Sequence, residues 1–196
     1  MTGSDDLRFT EVEHKFLVDE AFDLAAFGAM LDRLSPTRRA EVKVTDRYFL
    51  TTSGRHARFL IRHRFDRELH QLTLKTLETD PEVRTEINLD LSRADGDQAD
   101  AVDAFLDRLG LEWRGTLHKA IHVWYFSDVE VVHYRATAGD RAARCVEFEA
   151  RGTTSLEAAL AAVGRYERAT GFEARAREHR SLPQILFPEI AGALGG

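Results

Sequence analysis

Apolar and polar side chains alternate along most of the chain, and this period of two predicts eight β-strands. Successive side chains of a strand point to opposite faces. In residues 11–18, Val12, Phe16 and Val18 fall on one face. The opposite face carries Glu11, Glu13 and Lys15. The eight predicted strands span residues 11–18, 41–50, 58–65, 69–77, 82–91, 117–126, 129–135 and 144–151.

Helical spacing of apolar residues predicts three helices, over residues 20–34, 96–109 and 156–170. Gly110 and Gly171 end the second and third, and the run Thr153-Thr154-Ser155 offers a cap for the third. The order strand, helix, three strands therefore occurs twice before the last helix. No composition shift marks a linker, so we expect one α+β domain over residues 1–196, built from two β-α-βββ halves, with its core over about residues 8–190. A turn is expected at Asp80-Pro81 and a loose tail at the C-terminus.

Composition narrows the class of protein. The 196 residues are 43% hydrophobic and 31% charged, which is typical of a soluble globular protein. The net charge of −6 argues against general nucleic-acid binding, and no apolar run reaches the roughly 20 residues that span a bilayer. Residues 1–6 are too polar for a signal peptide. The single cysteine, Cys145, fits a reducing compartment, so we expect a cytoplasmic protein.

The charged residues of the predicted strands concentrate on one face. Besides Glu11, Glu13 and Lys15, that face carries Arg58, Arg62, Arg64, Lys75, Arg84, Glu86, Lys119, Glu147 and Glu149. Either helices cover the apolar face while the charged face stays open to water, or the sheet closes and the charged face lines a channel. Eight strands suffice for closure around a ligand. Enclosed charges must be paired, hydrated or ligand-bound, and a polyphosphate chain with Mg²⁺ or Mn²⁺ meets that requirement.

Five short motifs, in order, carry a family resemblance. Residues 11–15, Glu-Val-Glu-His-Lys, resemble the Glu-x-Glu-x-Lys signature of the CYTH superfamily, the triphosphate tunnel metalloenzymes. Residues 62–64 resemble its Arg-x-Arg strand, and residues 72–75 resemble its strand ending in Lys. Residues 84–86 resemble its Arg-x-Glu, and residues 147–149 its last Glu-x-Glu. The match covers roughly residues 9–187. One such motif alone would be a weak signal, whereas five in order are strong.

The resemblance implies a closed eight-stranded antiparallel barrel forming a tunnel, with helices packed outside, a triphosphate-bearing substrate and a divalent metal, Mg²⁺ or Mn²⁺. The implied metal ligands are Glu11, Glu13, Glu147 and Glu149. The implied phosphate-binding residues are Lys15, Arg62, Arg64, Lys75, Arg84 and Lys119. Catalytic roles fall to Glu13 and Lys75. The implied chemistry is metal-assisted attack of water on a terminal phosphorus, without a covalent nucleophile. Cys145 shares a face with the last two glutamates but has no identifiable base.

The sequence also departs from the family pattern. A second basic residue is usual two positions after Lys119, where this chain has Ile121. An Asp, often a metal ligand, is usual at the end of the following strand, where this chain has His133 and Tyr134. Glu130 lies near that position as a substitute. Near the C-terminus, Arg177, Arg180 and Leu182 stand where a Lys, a basic residue and a Tyr are common.

Several functions follow from these observations. The first is a metal-dependent hydrolase of inorganic triphosphate or a related organic triphosphate, and the same family includes class IV adenylyl cyclases and thiamine triphosphatases. The second is a non-catalytic module that binds polyphosphate or a nucleoside triphosphate, which the departures favour. The third is a barrel with structural charges and a role in protein interaction. The expected partner in the first two cases is a small phosphate-bearing molecule, with neither nucleic acid nor membrane.

Overall fold

The polypeptide backbone of the computed structural model is described for residues 9–77 and 82–194. The acidic residues 1–6, the predicted turn at Asp80-Pro81 and the last two residues of the predicted tail lie outside the described residues. Within the described ranges the chain forms eight strands and six helices.

The strands are longer than predicted at several ends. They are β1 Thr10–Leu17, β2 Arg38–Thr51, β3 Phe59–Phe65, β4 His70–Thr76, β5 Val83–Asp90, β6 Leu111–Tyr125, β7 Val129–Ala138 and β8 Arg141–Ala150. The helices are α1 Leu24–Arg33, α2 Thr52–Ala57, α3 Ala99–Arg108, α4 Leu156–Thr170, α5 Leu182–Leu186 and α6 Pro188–Leu194. The two predicted β-α-βββ halves are present, with α2 as an addition between β2 and β3.

The eight strands close into an antiparallel barrel in the order β1-β5-β4-β3-β2-β6-β7-β8, with the helices outside, which confirms the predicted α+β barrel. In the β1–β8 pair, Glu13 lies opposite Glu149 and Lys15 lies opposite Glu147. In the β3–β4 pair, Arg62 lies opposite Thr73. Because side chains opposite each other in a ladder share a face, this register decides which charged residues meet.

The chain divides into two compact units. The first unit comprises residues 9–42, Ala120–Arg135 and Ala143–His179; the second comprises residues 43–77, 82–119, Ala136–Ala142 and 180–194. In the first unit, α1 and α4 bury their apolar sides against one face of β1, β7 and β8. That core includes Phe16, Phe27, Val131, Phe148 and Phe172. The Ser155 hydroxyl caps α4 by accepting from the Ala158 N–H, and Gly171 ends the helix with a φ of 75°.

The second unit has a smaller core of its own. Phe49 of β2 and Ile61 of β3 pack with Val102 and Leu106 of α3. Within each unit, therefore, one face of the strands lies against helices. The charged residues at alternating positions lie on the other face, which is the inner face of the strands.

The differences from the predicted elements are local. Arg58 was predicted to begin β3. In the structure it instead ends α2, with a positive φ of 55°. Strand β6 begins six residues before the predicted start, and the C-terminal tail predicted to be loose is helical from Pro188 to Leu194. None of the helices in residues 9–77 and 82–194 has the length and apolar character needed to cross a membrane.

Candidate active site

The inner face of the first unit carries a group of residues that we call the acidic cluster. Its members are Glu11, Glu13, Lys15, Glu130, Tyr134, Glu147, Glu149 and Arg151. Strand alternation puts them there, because the neighbouring residues Phe16, Val131 and Phe148 point to the helices. Glu11, Glu13, Lys15 and Tyr134 are all buried.

Lys15 lies between two of these carboxylates. Its Nζ is 3.0 Å from Glu13 Oε1 and 3.3 Å from Glu147 Oε1. The Tyr134 hydroxyl donates a hydrogen bond of 2.6 Å to the same oxygen of Glu147. Burial, together with the adjacent charge of Glu147, raises the pKa of Tyr134 well above its usual value. The phenol therefore remains a hydrogen-bond donor at neutral pH and fixes the Glu147 carboxylate.

Arg151 lies among the other carboxylates. Its Nε is 3.1 Å from Glu130 Oε1, and its Nη2 is 3.2 Å from both Glu130 Oε2 and Glu149 Oε1. Burial lowers the pKa of this guanidinium, but Glu149 and Glu130 outweigh burial and the net shift is upward. The acidic cluster thus contains two cations, each bridging two glutamates.

The outer side of β1 is tied to α4 by a second polar network. His14 Nδ1 donates to Glu167 Oε1 over 2.6 Å, and Arg177 Nη2 lies 3.2 Å from Glu167 Oε2. Burial raises the pKa of Glu167, but its bonds to His14 and Arg177 lower it by more. The Glu178 N–H donates to the Lys15 carbonyl over 2.7 Å. Together these bonds hold the strand that presents Glu13 and Lys15.

The inner face of the second unit carries a basic cluster. Its members are Asp46, Arg62, Arg64, Lys75, Arg84, Glu86 and Lys119. Strands β3, β4 and β5 supply adjacent cations because Ile61 and Leu72, at alternating positions, pack toward α3. Arg62 and Arg84 are buried, at 8% and 9% exposed.

Asp46 holds two of these cations in place. Arg64 binds its carboxylate through both Nε, at 2.6 Å, and Nη2, at 2.7 Å, and Lys119 Nζ lies 3.1 Å from Oδ2. Asp46 is 0% exposed. Burial raises the pKa of this carboxyl, but Lys119 and Arg64 hold it well below its usual range. A charged Asp46 therefore fixes the positions of Arg64 and Lys119.

A hydrogen-bonded chain connects the remaining strands of the basic cluster. Arg62 Nη2 donates to Thr73 Oγ1 over 3.1 Å, and Thr73 donates to Asn88 Oδ1 over 2.7 Å. Asn88 donates to Glu86 over 2.8 Å, and Glu86 pairs with Lys75. Burial raises the pKa of Glu86, but Lys75 and Arg62 outweigh burial, so the carboxyl stays ionised. This chain fixes the side chains of three neighbouring strands.

The structure brings the ten predicted site residues into these two clusters. Sequence reasoning missed Asp46, Thr73, Tyr134 and Arg151. A signal was available for Asp46, because it shares its face of β2 with Val44 and Tyr48, both buried. The described residues include no group of three or more His, Cys, Asp or Glu side chains placed to hold a metal ion. Glu130, considered as a substitute ligand, instead pairs with Arg151.

Comparison with known proteins agrees with the fold. The CYTH domain profile matches residues 10–154. No curated protein matches the chain. The PH1012 protein from Pyrococcus horikoshii OT3 is similar in structure, with a TM-score of 0.70 at 18% identity, covering 90% of this chain and 99% of its own.

Two further solved structures are similar. A candidate adenylate cyclase from Bacillus halodurans has a TM-score of 0.60 at 18% identity, covering 90% of this chain and 97% of its own. A candidate adenylyl cyclase from Hippeastrum, described as having a dominant triphosphatase activity, has a TM-score of 0.52 at 14% identity. The match covers 88% of this chain and 91% of the Hippeastrum chain. At these identities the similarity concerns the fold. Given the closed barrel and a profile match over most of its length, the chain belongs to the CYTH domain family, the triphosphate tunnel metalloenzyme superfamily.

Proposed function

We propose that the protein is a metal-dependent hydrolase of inorganic triphosphate or a related organic triphosphate, acting in the cytoplasm with Mg²⁺ or Mn²⁺. The observation that carries this proposal is the basic cluster, in which β3, β4 and β5 each contribute a cation to the inner face. Neighbouring strands lie about 4.8 Å apart, so their cations form a row of donors. A row of guanidinium and ammonium groups matches the non-bridging oxygens along a phosphate chain.

The hydrogen-bonded chain makes this row suitable for catalysis as well as binding. Arg62 and Lys75 are held through Thr73, Asn88 and Glu86 before any ligand arrives. Donors that are already oriented stabilise developing negative charge without reorganisation. Lys75 would neutralise charge on the transferring phosphoryl group, and Arg62, Arg64, Arg84 and Lys119 would orient the substrate. Lys15 would bind phosphate next to Glu13.

The acidic cluster supplies the donor types that a divalent ion prefers. Glu11, Glu13, Glu147 and Glu149 offer only carboxylate oxygens, which suit Mg²⁺ and Mn²⁺. Glu13 and Glu149 lie directly opposite each other across β1 and β8, so their carboxylates are on neighbouring strands of the same inner face. A bound ion would neutralise phosphate charge and activate water for attack. Tyr134 would keep Glu147 oriented through its hydrogen bond.

The test is phosphate release from tripolyphosphate, ATP and thiamine triphosphate with Mg²⁺ or Mn²⁺. We expect Glu13→Gln to abolish release, because it removes a carboxylate assigned to the metal. The matched control is Glu20→Gln, which neutralises a glutamate of the same unit that is 92% exposed. Turnover by Glu13→Gln at the rate of the unmodified protein would show that the metal assignment is wrong.

A non-catalytic triphosphate-binding module is the second candidate, and the acidic cluster is the reason to retain it. Its carboxylates bind Lys15 and Arg151, and Tyr134 follows His133 where the family usually has an Asp. Calorimetric titration with tripolyphosphate separates the candidates. Tight binding without phosphate release would favour the module, and release with turnover would favour the hydrolase.

A further inference from the structure

Arg151 has a distinctive position at the end of β8. Its guanidinium binds Glu130 of β7 with two nitrogens and Glu149 of β8 with one of the same nitrogens, at 3.1–3.2 Å. The backbone N–H of Arg151 donates to the Asp128 carbonyl over 2.8 Å, so the residue is anchored independently of its side chain. One side chain therefore links the carboxylates of two strands.

A third carboxylate, that of Glu11, also acts on the Arg151 guanidinium. The β1–β8 ladder pairs Glu13 with Glu149, and Glu11 precedes Glu13 on the same inner face of β1. The charge of Glu11 is among those that favour the protonated form of Arg151. Two carboxylates from two strands thus contact one guanidinium, and the charge of a third, Glu11 of β1, acts on it. Carboxylate oxygens are also the ligands that a divalent cation prefers.

Arg151 differs from an arginine in an ordinary surface ion pair, such as Arg39, in the number of carboxylates that it binds. Arg39 pairs with Asp32, and the Arg39 side chain is 59% exposed, an arrangement worth little to stability. Arg151 instead binds two glutamates, one of which is an assigned metal ligand. Its charge is permanent because a guanidinium does not deprotonate in proteins.

We infer that the Arg151 guanidinium takes the place of one divalent cation in the acidic cluster, so that removing its charge opens one further cation position per chain. This inference rests on the proposed function in so far as the cluster binds metal at all. The protein then works with one fewer metal ion than its carboxylates would otherwise accommodate, and the arginine supplies the missing positive charge.

The experiment counts bound Mn²⁺ per chain by electron paramagnetic resonance, without any phosphate substrate. We expect Arg151→Gln to bind one more Mn²⁺ per chain than the unmodified protein. Arg151→Lys, which keeps a positive charge, should bind the same number as the unmodified protein. The matched control, Arg39→Gln, removes an arginine of the same unit outside the cluster and should also leave the number unchanged.

Equal Mn²⁺ numbers for Arg151→Gln and the unmodified protein would overturn the inference, as would an extra ion in Arg151→Lys. Circular dichroism checks that each variant folds, and Arg151→Met, which keeps the apolar stem, replaces the glutamine variant if that one does not. Phosphate release by the unmodified protein is measured separately. The inference can therefore fail while the hydrolase proposal stands, whereas absence of both metal binding and release would remove the proposal itself.

Discussion

The basic cluster of the second unit and the acidic cluster of the first unit are held together in opposite ways. In the basic cluster, two carboxylates, the buried Asp46 and the half-buried Glu86, fix three of the five cations through direct ion pairs. In the acidic cluster, two cations, Lys15 and Arg151, each bridge two glutamates. In both, residues of the minority charge fix those of the majority charge.

This comparison separates two kinds of residue within each cluster. A minority residue is bound on several sides, so its loss leaves like charges facing each other in a buried place and should cost stability. A majority residue is one of several, so its loss should weaken ligand binding more than folding. The predictions that follow test this separation.

Asp46→Asn should have the largest effect. The substitution keeps the side-chain size but leaves Arg64 and Lys119 without the buried anion that both contact. Breaking a buried ion pair from one side costs about 3–5 kcal/mol, so the free energy of unfolding should fall by that amount. Urea denaturation measures it.

The control for this substitution is Asp107→Asn, an exposed carboxylate of the same unit that lies 3.9 Å from Arg114. It should change stability by less than about 1 kcal/mol. Because the pKa of Asp46 is lowered in the folded state, its contribution should be constant above about pH 4, where the unfolded aspartate is ionised, and should decline at lower pH. Similar stability of both variants would contradict the role given to Asp46.

Arg62→Gln tests a majority residue. The guanidinium is buried and oriented by Thr73, and a hydrogen bond to a charged partner is worth about 1.5–3 kcal/mol. The affinity for tripolyphosphate should therefore fall about 10- to 100-fold, while cooperative unfolding is retained. Isothermal titration calorimetry measures the affinity. Arg55→Gln, which removes an exposed arginine paired with Glu112, is the control, and equal affinities would remove Arg62 from the phosphate site.

The last prediction concerns the dependence of stability on pH, to which His133, in the core outside the two clusters, should contribute. Burial, with the nearby charges of His122 and Arg144, lowers the pKa of His133 from 6.5 to about 4. Between these values the unfolded state binds a proton that the folded state does not, so stability decreases as the pH falls from 6.5 to 4. The loss should be on the order of 2–3 kcal/mol.

His133→Gln removes this titration and should flatten the dependence of stability on pH over the same interval. Asp46 and Glu86 should contribute little there, because their pKa values are both lowered, whereas His63, whose pKa burial also lowers, should leave a residual slope of the same sign. Thermal unfolding at a series of pH values measures the effect. A slope that persists unchanged in the variant would assign the pH dependence to another group.

The sequence predicts most of this fold because its signals are local. Strand alternation puts Glu13 and Lys15 on one face, and the Ser155 cap with Gly171 sets both ends of α4 as predicted. The first residues of β6 were missed because Gly115 interrupts the alternation of apolar and polar residues there. Helix α2 was missed because a segment of six residues is too short to show a helical period of apolar residues.

The candidate site could be predicted only in part, for a related reason. The motifs identify which charged residues share an inner face, but they do not say which residues pair. Asp46 and Arg64 are 18 positions apart in sequence, and Glu130 and Arg151 are 21 positions apart. Such pairs are brought together by the register of the strands. Pairing of that kind follows from the assembled barrel, and no local pattern encodes it.

The single cysteine of the chain can report how often the barrel opens at β8. Cys145 is 0% exposed on the inner face of β8 and is a free cysteine. A thiol reagent can reach it only when β8 separates from its neighbours, so the labelling rate would measure how often that separation occurs. Slower labelling in the presence of tripolyphosphate would show, without any engineered probe, that the ligand steadies this strand.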